Sequence, residues 1–419
     1  MAAKDGLLVR LKISGGIVRA ATLRAVAQAG QDYGNGLFDL SSRANLQIRG
    51  VRTACLPDLI EKLESLGLID ESAAAEAVRN VIVSPLAGLD GRSEALDAAK
   101  ALEEMLASQP GLHALPAKFG FLIDDGSCLP LANVPADIRF DWVPAVNLFA
   151  IGIGGRKAEA VFLGHSKASD IADTALRLAR AFLHLASQLQ EMPRRMRGLI
   201  EICGAKAIAA QCGLRASPPP ERAVNEGPFP VGLLQLRSAY CFGAGAAFGH
   251  VNAGMLHAAA AAAEAFGNGE IRLTPWRAMI FPLSCARESS AIRAYLAAHG
   301  FIVEREDPRL AVTACRGGLT CERSTADVRF DALSLMDPAR RICSAPVALH
   351  IAGCAKGCGR QAPTDVTLIA RAGLYDLIAD GAALAAGLRC GTGLTAAQVR
   401  QALEGIALRA KPRSGLESQ

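Results

Sequence analysis

The strongest constraint on how this chain can fold is that one stretch of it occurs twice. VRAATLRAVAQAGQDYGNGLFDLSSRANLQIRG, from Val18, aligns without gaps with VNAGMLHAAAAAAEAFGNGEIRLTPWRAMIFPL, from Val251. In both, an aromatic residue precedes a Gly-Asn-Gly turn, Gly34-Asn35-Gly36 and Gly267-Asn268-Gly269, and Leu40-Ser41 answers Leu273-Thr274. Shared alanines carry little weight in an alanine-rich chain, but a turn in register with its flanks marks a duplication. The fold has to accommodate two copies of one unit.

Each copy reads as strand, amphipathic helix, turn, strand. Val18, Leu23 and Val26 space out an apolar helix face, and Leu46 and Ile48 then alternate with Gln47 and Arg49. This resembles half of a ferredoxin-like unit, so the expected fold class is α+β, internally duplicated. Further α/β segments follow each copy: NVIVSPLAGLDG, a helix near Ser93 to Ala107 and KFGFLIDDG after the first, then LAVTACRGGLTC, PVALHIAGCAKGC and DVTLIARAGLYDLI after the second. Residues 213–231 hold three consecutive prolines, which forbid helix and favour an extended connector. The expected organisation is therefore an N-terminal repeat over 1–212, a linker over 213–231 and a C-terminal repeat over 232–413. Residues 170–211 look helical with a break near Pro193, and SGLESQ looks like a frayed end. IGIGGR at 151–156 lacks the rest of a dinucleotide fingerprint and is expected to be a turn.

Four cysteines carry the chemistry. Cys315-x5-Cys321 and Cys354-x3-Cys358 lie in ACRGGLTCERST and IAGCAKGCGRQ, among Gly317, Gly318, Gly353, Gly357 and Gly359. Thiolates on one iron–sulfur cube need short loops that turn tightly, which such glycines allow, so the pattern suits a [4Fe-4S] ligand set. Zinc knuckles usually use Cys-x2–4-Cys, which fits the second pair but not the first. Disulfides are disfavoured because no secretory signal is seen and 12 cysteines are scattered over 419 residues. Cys55, Cys128, Cys203, Cys212, Cys241, Cys285, Cys343 and Cys390 lack such pairing and read as small buried apolar residues.

Composition excludes several functions. A net charge of +5, with basic and acidic residues interspersed, gives no nucleic-acid stripe, and 5% aromatic content gives no stacking platform. No window suits a membrane span: the richest, Ala258 to Ala263, sits between His257 and Glu264. MAAKDGLLVRLK has no apolar signal segment, so a cytoplasmic location is expected.

SRANLQIRG at 42–50, RNVIVSPLAGLDG at 79–91, LPAKFGFLIDDG at 115–126 and both cysteine pairs together resemble the nitrite and sulfite reductase superfamily over nearly the whole chain. Its members are duplicated α+β proteins that bind a tetrapyrrole beside a [4Fe-4S] cluster. Within it, GCAKGC followed by APTDVTLIARAGLYDL looks most like the precorrin-3B synthases. The resemblance implies a monooxygenase of aerobic cobalamin biosynthesis, hydroxylating precorrin-3A at C20 with closure of a γ-lactone. It further implies a [4Fe-4S] cluster and a mononuclear non-haem iron, with O2 and an electron donor, NADH through a reductase or a ferredoxin-like protein, as partners. A monomer is expected, since the duplication supplies internally the interface that a dimer would form.

An octacarboxylate tetrapyrrole calls for a basic socket. By their place in the family's motifs the candidates are Arg43 and Asn45, Arg79, Lys118 in Pro-x-Lys-Phe, Arg277 in the second repeat, and Lys356 between two cysteines. Sulfite-reducing members place a second basic residue two positions after that lysine; here the position is Gly120. Arg360-Gln361 also departs from the His-Pro expected in many synthases. The seven histidines include no facial-triad signature, and His350, four residues before Cys354, is the nearest to the cysteines. The iron ligands are left unassigned. Two alternatives stay open: a siroheme-dependent sulfite or nitrite reductase, with Cys358 bridging cluster and siroheme, and a noncatalytic iron–sulfur or tetrapyrrole-binding protein.

Overall fold

In the computed structural model, which describes residues 2–89, 94–214, 229–342, 349–360, 364–381 and 388–409, the duplication takes the form of an exchange. The short strand before each repeat helix, Ile17–Arg19 or His250–Asn252, leaves its own copy and pairs in the other's sheet. Val18 stands opposite Ile271 in one antiparallel pairing and Val251 opposite Phe38 in the other. One five-stranded sheet orders Ala2–Ala3, Gly6–Leu11, Leu46–Val51, Leu37–Leu40 and His250–Asn252. Its counterpart orders Gly232–Gln235, Tyr240–Gly245, Ala278–Leu283, Glu270–Leu273 and Ile17–Arg19.

The helices that follow the exchanged strands, Ala20–Tyr33 and Ala253–Phe266, pack on each other. Ala259, Ala260, Ala262 and Ala263 are buried there, so the alanine-rich window is a close-packing face. Asn252 caps the second helix by accepting from the Met255 N–H at 2.9 Å. One core contains Leu23, Phe38 and Ile48 of the first copy and Leu256, Ile271 and Phe281 of the second. Each such side chain contributes about 1.5–3 kcal/mol on burial, so exposing several by separating the copies would exceed a typical domain stability. Most of the linker expected at 213–231 lies outside the described residues, which omit 215–228, and the sheets interleave the two copies.

The second pair of sheets repeats another pattern. Val81–Val83, Phe121–Asp124 and Ala136–Val143 run parallel, then Leu148–Gly155 and Val161–Ser166 return antiparallel. Val312–Ala314, Leu349–Ala352 and Thr364–Arg371 run parallel, then Leu374–Gly381 and Leu388–Leu394 return antiparallel. The duplication therefore extends beyond what the amino acids reveal. Leu102, Leu106, Leu176 and Phe182, from helices Glu94–Ser108 and Ile171–Ala186, cover the first of these sheets. Val328, Leu335, Val399 and Leu403, from Val328–Ile342 and Ala396–Arg409, cover the second.

Two local expectations are corrected. IGIGGR is not a turn: Leu148–Gly155 is a strand, with Phe149, Ile151 and Ile153 buried. Its glycine serves packing, since a Cβ at Gly152 would lie 2.8 Å from the Arg139 side chain, which is itself fully buried on Asp141. The cysteines outside the two pairs are not uniformly buried: Cys212 and Cys241 are, Cys55 and Cys203 are intermediate, and Cys128, Cys285 and Cys390 are exposed. Cys343 lies outside the described residues. The helical stretch does break around Pro193, between Ile171–Ala186 and Met196–Cys203. Among the described residues no helix is long and apolar enough to cross a membrane.

Candidate functional site

Strand geometry brings the two cysteine pairs together. Val312–Ala314 and Leu349–Ala352 are neighbouring parallel strands with Ala314 opposite Ile351, so both leave the sheet at the same edge. Cys315 follows one and Gly353-Cys354 the other. The Cys315 N–H donates to the Ile351 carbonyl at 3.1 Å, and the Gly353 N–H donates to Cys315 Sγ at 3.1 Å. Gly317 turns the first loop with φ 53°, which L side chains rarely adopt. Gly353 answers a different demand, because a Cβ there would sit 2.2 Å from Ser324 Oγ. That hydroxyl accepts from the Gly318 N–H at 3.1 Å and donates to the Ala326 carbonyl at 2.9 Å, while the Thr325 N–H donates to the Gly353 carbonyl at 3.1 Å. The loops are thereby locked to each other.

Cys315 and Cys358 link the four sulfurs electrostatically: Cys315 feels Cys358 and Cys321, and Cys358 feels Cys354 and Cys321. Burial pushes the Cys315 thiol up to about 11, and the Cys358 and Cys321 sulfurs add to the shift. Burial also raises Cys358; Lys356 and Lys118 oppose the shift, and Cys354 and Cys321 reinforce it. Crowded thiols of this kind resist ionisation until a cation joins them, and a bound metal centre deprotonates them outright. Among the described residues no three His, Cys, Asp or Glu side chains converge as they would on a single ion. Thiolates on a cube each hold a different iron and stand further apart. The donor set, the shared edge and the glycine-lined loops fit a [4Fe-4S] cluster.

Sequence reasoning missed the residues that tie the first loop to the repeat sheet. Asp39 accepts from Arg49 at 3.0 Å and Arg316 at 2.7 Å, and Arg316 also donates to the Phe38 carbonyl at 2.7 Å. Arg49 forks onto Asp5 at 2.8 and 3.0 Å and reaches the Thr320 carbonyl at 3.2 Å. The strand alternation that turns Arg49 away from Ile48 sends it into this buried ion cluster. Arg316, adjacent to Cys315, was the available signal.

The socket candidates divide. Arg43 donates to the Lys118 carbonyl at 2.9 Å and to Asn80 at 3.4 Å. Its pKa is lowered by burial and by the like charges of Arg195 and Arg10. Lys118 and Lys356 are exposed, as is Cys358, and both lysines favour the Cys358 thiolate. These side chains, with Arg43 against the Lys118 segment, form one basic neighbourhood beside the exposed cysteine. Asn45 is buried; its N–H donates to Ser41 Oγ at 3.1 Å and its carbonyl accepts from the Ser41 N–H at 2.9 Å, closing the turn that carries Arg43. Arg79 is directed elsewhere, forking onto Asp70 at 2.7 and 2.9 Å with Glu103 at 3.7 Å. Arg277 precedes its strand instead of lying in it and donates to the Gly359 carbonyl at 2.7 Å. His350 Nε2–H donates to the Cys358 carbonyl at 2.9 Å. Gly120 has room for a side chain, the nearest atom to a Cβ being 3.8 Å away.

Comparison with known proteins agrees with this architecture. The family model of the nitrite/sulfite reductase ferredoxin-like half domain matches residues 1–66 and 235–298, the two repeats. A precorrin-3B synthase of a Sinorhizobium species is 31% identical over 385 residues, covering 90% of this chain and 80% of that protein. The chloroplastic ferredoxin–nitrite reductase of Arabidopsis thaliana is 24% identical, with 86% of this chain and 66% of its own length covered. The solved structure of the NirA protein of Mycobacterium tuberculosis superposes with a TM-score of 0.80 at 20% identity, over 97% of this chain and 82% of that one.

Proposed function

The chain belongs to the precorrin-3B synthase family, built on the nitrite and sulfite reductase fold, and from that premise we propose that it hydroxylates precorrin-3A at C20 with O2 and closes the γ-lactone. The observation that carries this proposal is the basic neighbourhood of Arg43, Lys118 and Lys356 beside exposed Cys358, combined with glycine at 120. Cations there suit a polycarboxylate tetrapyrrole, while a small oxyanion would have lost the second lysine that polarises it.

Cys315, Cys321, Cys354 and Cys358 would hold the [4Fe-4S] cluster, which when bound supplies electrons one at a time. Lys118 and Lys356 bind and orient substrate carboxylates, and Arg43 holds the Lys118 backbone in place. One oxygen atom of O2 enters the product and the other leaves as water, with two electrons from NADH through a reductase or from a ferredoxin-like protein. A mononuclear iron, which the family resemblance implies, would supply O2 activation if bound, although among the described residues no three His, Cys, Asp or Glu side chains gather to hold it. The protein is expected to act as a cytoplasmic monomer.

The test is anaerobic incubation with precorrin-3A, followed by isotopically labelled O2 and mass spectrometry. Incorporation of one labelled oxygen supports the synthase; an unchanged tetrapyrrole under reducing conditions rejects it. A visible spectrum of the purified protein provides a second check. Strong siroheme bands would assign it to the reductases, whereas a broad iron–sulfur shoulder without macrocycle bands fits the synthase.

A further inference from the structure

The two repeats place unusual backbone at the same positions but fill those positions differently. Gly15 at φ 60° answers Phe248 at φ 59°, and Ala44 at φ 55° answers Arg277 at φ 61°. Left-handed backbone is disfavoured at bulky side chains and persists where surrounding contacts enforce it, commonly at functional sites. The first copy meets the requirement with glycine and alanine. The second uses phenylalanine and arginine, and both side chains reach the cysteine-bearing sheet.

Phe248 is buried with Val312, Ala314 and Val328, in the core beneath the strand that leads into Cys315. Arg277 Nη2 donates to the Gly359 carbonyl, immediately after Cys358, at 2.7 Å. Its side chain passes over Gly249, where a Cβ would sit 2.7 Å from Arg277 Cδ. The turn below is pinned: the Arg277 carbonyl accepts from the Ala246 N–H at 3.0 Å, and Thr274 Oγ1 donates to the Ala278 carbonyl at 2.9 Å. With His350 on the Cys358 carbonyl at 2.9 Å, two consecutive carbonyls of the second cysteine loop are held from different elements.

We propose that Arg277 is a positioning residue for Cys358, fixing the loop that carries the exposed thiolate, and not a substrate ligand. The proposal rests on Cys358 being a cluster ligand, as in the functional reading above. It assigns the left-handed turn a purpose: an arginine is delivered from the repeat sheet to a loop of the neighbouring module.

The experiment compares Arg277→Gly and Arg277→Lys with the wild-type full chain. Glycine relieves the backbone and removes the donor; lysine keeps a donor on a long stem. In cluster-free protein, amide hydrogen exchange over 354–360 is expected to accelerate roughly tenfold in Arg277→Gly, the order of one lost charge-assisted hydrogen bond, and to stay near wild type in Arg277→Lys. Strand 121–124 serves as the internal control for folding. After anaerobic reconstitution, Arg277→Gly should shift the cluster's electron paramagnetic resonance line shape and midpoint potential, while binding of uroporphyrin, an octacarboxylate tetrapyrrole, is unchanged. Wild-type exchange over 354–360 in Arg277→Gly overturns the proposal, as does weakened uroporphyrin binding with an unaltered cluster signature. Failure of the wild type to assemble a cluster would refute the cofactor assignment, and the exchange comparison would still decide whether Arg277 holds the loop.

Discussion

The two parallel-sheet edges are built alike and finished differently. In the second half, Cys315 N–H donates to Ile351 and Gly353 N–H to Cys315 Sγ. In the first, Ser84 N–H donates to Ile123 at 3.0 Å and Asp125 N–H to Ser84 Oγ at 2.9 Å. Val83 pairs with Ile123 as Ala314 pairs with Ile351, so Ser84 stands where Cys315 stands and Gly126 where Cys354 stands. One edge ends in a cysteine sulfur. The other closes on itself, with Asp124 accepting from Gly126 at 3.0 Å and Leu131 at 2.8 Å. Backbone hydrogen bonding sets the scaffold, and the atom at one side-chain position decides whether it can hold a metal cluster.

Cys315→Ser tests this most severely, because it gives the second edge the chemistry of the first. The protein should fold, with serine accepting the Gly353 N–H, and should contain no [4Fe-4S] cluster by iron and sulfide analysis. Four iron and four sulfide retained per chain would reject the ligand assignment. A smaller effect is expected at the open face, where Lys118→Ala should weaken uroporphyrin affinity roughly tenfold without changing iron content, as for one charge-assisted contact. Unchanged affinity would remove Lys118 from the socket.

The smallest effect concerns the closed edge. Burial, reinforced by Asp141, raises Asp124 from 3.8 to about 6. Between those values the folded protein keeps a proton that the unfolded chain has released, so this group makes stability fall as pH rises from about 4 to about 6. Asp124→Asn should flatten that part of a melting-temperature profile against pH. An undiminished slope would mean that another group carries it.

Repetition was legible where turn chemistry preserved it. Gly-Asn-Gly and its aromatic neighbour revealed the repeat sheets, and cysteine spacing marked the two loops that the parallel strands bring together. The relation between Ser84 and Cys315 was hidden, because a hydrogen-bonded strand end imposes geometry without imposing residue identity. The exchange of Ile17–Arg19 and His250–Asn252 was hidden as well, since three-residue strands show no periodicity. Arg79 and Arg277 show what motif position leaves open: a carboxylate nine residues away and a carbonyl 82 residues away decide where each guanidinium goes. Lys118, by contrast, is exposed and lies close enough to Cys358 to favour its thiolate.

The exchanged strands also impose an order on biosynthesis. As the chain leaves the ribosome, Leu37–Leu40 presents an open sheet edge that cannot be covered until residues 250–252 emerge. Ile17–Arg19 likewise waits for Glu270–Leu273. Unpaired edges invite pairing with other chains, and contacts this distant in sequence form late. The nascent first half is therefore a natural client for chaperones, and a message truncated before the second repeat would yield an aggregation-prone fragment instead of half an enzyme.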